Sequence, residues 1–187
     1  GSVWGSLPGL CAGRPAPCTR ETLAPGVVRQ GGELAFDWPR GYPDDPLVLC
    51  RIFREAARTG LPLAWGARRL VTGHLHLVKE NLARSRVAAD AFREILVSGR
   101  AAPVLETMLE TGYLAAFLPE FGRVQDLVQF DTYHIHPVGW HTVRAVGHLE
   151  ELAAGQGEAR QIDLWAEAAD PEALMLGAFF HDIGKGL

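Results

Sequence analysis

From Asp45 onward the sequence repeats one device: apolar residues spaced three or four apart, closed by a glycine. Leu49, Ile52, Phe53 and Ala56 share a helical face and stop before Gly60. Ala88, Phe92, Ile95 and Leu96 do so before Gly99, and Val104, Leu105, Met108 and Leu109 before Gly112. Side chains at that spacing leave a helix on one side, and glycine takes the left-handed conformation that ends it. A helix with one apolar stripe must bury that stripe against a neighbour, so the pattern predicts a mainly α fold, a bundle of short helices.

Local signals mark where the elements begin. Asp45 caps and Pro46 opens the first helix, and a second is expected over about 67–80, weakened by Gly73. Leu114 to Leu118 forms a short apolar segment before Pro119, and Val124 to Phe130 reads as a helix or turn. Val143, Val146, Leu149 and Leu152 line a helix from about Val138 or Trp140 to Ala153, followed by the polar stretch "GQGEARQ". Asp170 caps the last helix, Pro171 starts it, and Leu174 to Phe180 is almost wholly apolar, which predicts burial on most sides. Ahead of the helices, residues 1–26 are rich in Gly and Pro and read as a loop. "VVRQGGELAF" then predicts a small N-terminal β-hairpin turning at Gly31-Gly32.

The net charge of -4 comes without a block of like charge, which argues against a nucleic-acid or anionic-membrane partner. No uncharged apolar stretch has the length of a bilayer-spanning helix, so a cytoplasmic protein is expected. Cys11, Cys18 and Cys50 are odd in number and form no CxxC pair; they read as packing residues or free thiols.

The chemistry-bearing residues gather at the end, in "GAFFHDIGKGL". His181 and Asp182 emerge from a core helix, and at its last turn both side chains can lean toward one point. Imidazole and carboxylate together suit a divalent ion, Mg2+ or Mn2+ first, with Fe or Zn also compatible. His141, near the start of the 140–153 helix, is the natural third donor. The competing reading of His181 is a core histidine whose hydrogen bonds are satisfied within the protein. Lys185, between glycines, either complements a helix C-terminus or presents a point charge to a phosphate oxygen. His134 and His136, two apart, would face opposite ways on a strand; Asp131 and His134 are instead candidates for orienting the ligands. His74, His76 and His148 are expected on surfaces.

"HTVRAVGHL" followed by "AFFHDIGKG" resembles the HD superfamily of metal-dependent phosphohydrolases. The resemblance puts that family's first metal-binding His at His141 and its His-Asp pair at His181 and Asp182. Its final Asp lies beyond Leu187. "DDPLVLCRIFREAARTGLPL" and "FREILVSGRAAPVLETMLETGYLAAFLPEF" resemble the helical domain that follows the catalytic domain in nucleotidyltransferases of the polymerase-beta type. The junction "LPEFGRVQDLVQFDTYHIHPVGWHT" is similar to that of bifunctional uridylyltransferase/uridylyl-removing enzymes. It departs from them at Trp140, where an acidic residue is usual.

The resemblance divides the chain into residues 1–43, a loop and hairpin left from a nucleotidyltransferase region; 44–122, the associated helical segment; and 123–187, the first part of an HD domain. It implies transfer of UMP from UTP to a tyrosine of the PII signalling protein, and hydrolysis of that UMP-tyrosine adduct at a metal held by His141, His181 and Asp182. Asp182 and Lys185 are then the catalytic candidates. The nucleotidyltransferase signature is absent, Gly5-Ser6 having no aspartate pair after it, so an internal fragment is expected, weak or inactive alone. Two alternatives stand beside this one, an HD-containing CCA-adding tRNA nucleotidyltransferase tail and a non-catalytic helical interaction module. If the HD domain is cut after Leu187, Leu176, Phe179 and Phe180 are expected to lack partners, to be covered by further chain or by self-association.

Overall fold

Gly31 and Gly32 have φ of 60° and 86°, the positive pair that a two-residue hairpin turn needs. They join strand β2 (Val27–Gln30) to β3 (Glu33–Phe36), with Gln30 opposite Glu33. The computed structural model describes residues 19–37, 45–128 and 137–186. In it the hairpin gains a third antiparallel strand, β1 (Arg20–Ala24), across a turn at Gly26. This corrects the expectation of a loop through residue 26. Arg20, Glu21 and Thr22 lie exposed on an edge strand, so there is no apolar alternation to read.

Helix α1 (Val48–Thr59) starts after, not at, its Asp45-Pro46 signpost. Asp45 Oδ1 accepts from the Leu47 N–H at 3.0 Å and Oδ2 holds Arg51 at 2.6 Å, so this carboxylate closes the turn ahead of the helix. Gly60 ends α1 at φ 72°, donating to the Ala56 carbonyl. The helix expected over 67–80 is broken into α2 (Trp65–Gly73) and the single turn α3 (Leu75–Leu77), which continues as a π turn over Val78–Leu82. The break falls at His74, just after the glycine that weakens the pattern.

Helices α4 (Arg86–Leu96), α5 (Ala101–Glu110), α6 (Tyr113–Phe117) and α7 (Pro119–Gly122) complete this part. Ser85 caps α4 by accepting from the Ala88 N–H at 3.3 Å. The predicted stripes of α1, α4 and α5 are buried, except that Leu109 is only partly so. Rings connect the helices: Phe53 meets Tyr113 at 4.8 Å, Tyr113 stacks on Phe117 at 5.8 Å, and Phe117 meets Phe92 at 5.6 Å. Val124 to Asp126 lie in turns, Leu127 and Val128 belong to no helix, and Gln129 and Phe130 fall outside the described residues.

Helix α8 (Val138–Ala153) lies antiparallel on α5 and buries Val143 and Val146. The polar stretch after it contains a helix the sequence pattern missed, α9 (Ala159–Ala166), none of whose residues is buried. Helix α10 (Pro171–Phe180) starts as predicted, with the Asp170 carboxylate accepting from the Ala173 N–H at 3.0 Å. Its expected burial on most sides is wrong: only Met175 and Phe179 are buried, and Leu174 is 44% exposed. The expectation that Phe179 lacks partners also fails, because α4 and α7 supply them. Its ring lies 5.0 Å from Phe92 and 5.3 Å from Phe121, leaving it 1% exposed, while Leu176 and Phe180 are partly buried. Among the described residues no helix is long and apolar enough to cross a membrane.

Candidate metal centre

The first turn of α8 is fixed by backbone. Val138 and Gly139 donate their N–H groups to the carbonyls of Leu127 and Gln125 at 3.0 and 2.9 Å, satisfying donors that a helix N-terminus leaves open. Gly139 permits the approach: a Cβ there would stand 3.0 Å from Leu109 Cδ1 and 3.1 Å from the Gln125 carbonyl oxygen. His141, two residues on, therefore projects from a helix end pressed against α5 and the 123–128 turn. The second histidine comes from α10, held by Phe179 between Phe92 and Phe121, and by an ion pair from Glu172 to Arg93 of α4.

These placements bring His141, His181 and Asp182 together, with one ligand atom from each lying within 4.8 Å of the others. His141 Nε2 is 3.1 Å from His181 Nε2. Asp182 Oδ2 is 3.4 Å from the latter and 3.9 Å from the former. His181 Nδ1 lies 2.7 Å from the Ala178 carbonyl oxygen. That oxygen can only accept, so Nδ1 carries the proton and Nε2 offers its lone pair to the centre. Metal–nitrogen bonds of about 2.1 Å meeting near a right angle put two donors about 3 Å apart, so the imidazole pair has the spacing of cis ligands. The donor set of two imidazoles and a carboxylate fits a divalent ion.

Both imidazoles are 37% exposed and the Asp182 side chain only 8%, so the cluster opens to solvent over a buried carboxylate. Lys185, in the 3-10 turn Ile183–Gly186, places Nζ 2.9 Å from Asp182 Oδ2, the oxygen that faces both histidines. The sequence marks Lys185 as a residue facing phosphate or a helix end; the structure adds this carboxylate partner, three residues back. It also adds the Ala178 carbonyl and the Gly139 contact, which are backbone features without a side-chain signature. Asp131, His134 and His136 lie outside the described residues, as do Cys11 and Cys18; Cys50 is a buried free thiol. His76 and His148 are exposed and His74 is half-buried, and none of them joins the cluster.

Fold and site together define a mainly helical protein with a His-His-Asp donor cluster between two helix ends. The chain is similar to bifunctional uridylyltransferase/uridylyl-removing enzymes. It is 37% identical over 166 residues to that of Phenylobacterium zucineum, covering 87% of this chain and 18% of the relative. It is 36% identical over 165 residues to that of Caulobacter vibrioides (86% and 18%), and 38% identical over 164 residues to that of Rhodospirillum rubrum (85% and 17%). The chain is a homologue of one segment of this enzyme family and spans about 18% of the length of these relatives. No family model matches it.

Proposed function

We propose that this chain is the part of a bifunctional uridylyltransferase/uridylyl-removing enzyme that carries the opening half of the uridylyl-removing site, an HD-type centre acting on the UMP-tyrosine adduct of the PII protein. The observation that supports this most is the convergence of His141, His181 and Asp182 from two separate helices, in a homologue of enzymes named for that reaction.

His141 and His181 would hold a divalent ion through Nε2, and Asp182 would do so through Oδ2. Such an ion supplies Lewis-acid chemistry, offsetting charge on a phosphodiester and making water more acidic. The hydrogen bond to Ala178 keeps His181 in the tautomer that can ligate. Lys185, anchored on Asp182 and about a third exposed, reaches from the buried carboxylate toward solvent, where its ammonium pairs with a phosphoryl oxygen. Hydrolysis adds water across the bond between phosphorus and the phenolic oxygen. UMP retains the oxygen of water, and the tyrosine phenol regains a proton. The nucleotidyl-transfer half would belong to parts of the relatives outside the segment that this chain matches.

The test uses the full-length enzyme with uridylylated PII. Chelation should abolish UMP release and added Mn2+ should restore it, whereas Asp182→Asn should remain inactive at any Mn2+ concentration. Release that survives exhaustive chelation would reject the metal site, and full activity of Asp182→Asn would reject its assignment to Asp182.

A further inference from the structure

The N-terminus of α5 has no cap of its own. Arg100 stands at the capping position and makes no side-chain bond there. The carboxylate that serves instead comes from α8: Glu150 accepts from the Ala101 N–H through Oε1 and from the Ala102 N–H, at 3.1 Å, through Oε2. A carboxylate on two first-turn amides satisfies open donors and complements the helix dipole. Here it also ties together two helices distant in sequence.

Two close approaches show what the tie fixes. Gly147 lies against Ala102, where a Cβ would be 3.2 Å from the Ala102 Cβ, and Gly139 lies against Leu109. Thus α8 runs antiparallel along α5, pinned at one end by Glu150 and pressed close at the other beside His141. A slip of α8 by a single residue would move it about 1.5 Å along its axis. A hydrogen bond of 3.1 Å does not survive that displacement, nor does the 3.1 Å relation between His141 Nε2 and His181 Nε2.

We propose that Glu150 is a positioning residue for the His141–His181–Asp182 cluster: it sets the axial register of α8 on α5 and thereby where His141 Nε2 stands. This rests on the metal-site reading only for its consequence in metal affinity; the placement of the two imidazoles can be measured without metal. Outer residues that orient ligands typically change metal affinity by about 10- to 100-fold when removed, and Glu150 belongs at the lower end because it acts through a helix.

The experiment compares the 187-residue chain with its Glu150→Ala, Glu150→Gln and Ser85→Ala variants. Ser85→Ala removes the cap of α4, lowering stability without touching α8. The readouts are Mn2+ affinity, Tm, and the imidazole 15N signals of His141 and His181 in the metal-free chain. Glu150→Ala should weaken Mn2+ binding about tenfold and shift both imidazole signals, leaving those of His74 and His76 in place. Glu150→Gln, which keeps its shape and one acceptor, should show a smaller change in the same direction and covers the case in which Glu150→Ala does not fold. Ser85→Ala should lower Tm while leaving affinity and signals unchanged. Unshifted imidazole signals in a folded Glu150 variant, or equal shifts in Ser85→Ala, would overturn the proposal. A wild-type chain that fails to bind Mn2+ would contradict the metal reading, and the imidazole signals would still decide the role of Glu150.

Discussion

Two side chains carry signed predictions of their own. Lys185 shares Asp182 Oδ2 with the two histidines, so its ammonium opposes a second cation at that place by like-charge repulsion. Lys185→Met should therefore bind Mn2+ several-fold more tightly than the native chain, measured by titration, while UMP release by the full-length enzyme slows. Weaker binding would mean that Lys185 organises the cluster instead of competing within it. Cys50 tests the core. Burial pushes its thiol up from 9.0 to about 11, so the folded chain favours the protonated form. The corresponding stability is fully present below about pH 9 and is lost as pH rises through about 11. The fall in Tm over that window should be shallower in Cys50→Ala than in the native chain. Tyr113, raised by burial as well, contributes in the same direction and remains in both.

The elements were legible where one face is apolar and both ends are marked. The stripes of α1, α4 and α5 and the Asp170 cap of α10 could be read directly, because periodicity and capping are local properties of the chain. Helix α9 could not, since none of its residues is buried, and β1 could not, since an exposed edge strand has no alternation. The burial of α10 was misjudged for another reason: apolar composition says that a helix can be buried, but the partners that arrive decide how much of it is. The candidate site divides along the same line. His141, His181 and Asp182 are visible as residue types, whereas the Gly139 contact and the Glu150 cap depend on tertiary packing. Gly139→Ala tests that layer, because the new methyl would meet a side chain and a backbone carbonyl at 3.0 and 3.1 Å. It should cost about 1–3 kcal/mol in urea unfolding and weaken Mn2+ binding. A variant with unchanged stability and affinity would show that α8 can shift freely at its N-terminus.

At the scale of the whole molecule, one hydrophobic cluster runs from Ala24 of β1 to Phe179 of α10, and an unbroken series of ring contacts links α1 to α10 through α6 and α4, with Phe121 of α7 stacked on Phe179 at its end. Such continuity predicts cooperative unfolding. Far-UV circular dichroism and tryptophan fluorescence should report one midpoint, and Phe179→Ala should lower it by about 3–5 kcal/mol in unfolding free energy. Two separated midpoints would instead mean that the helices bearing the donor cluster unfold apart from the rest. Function is a separate question from stability, and it turns on whether the cluster serves only the removal of UMP. The direct measurement is a pair of assays on the full-length enzyme carrying His181→Ala, following attachment of UMP to PII and its release in parallel. The account predicts that release is lost while attachment stays within a few-fold of the native rate; loss of both together, or release at the native rate, would contradict it.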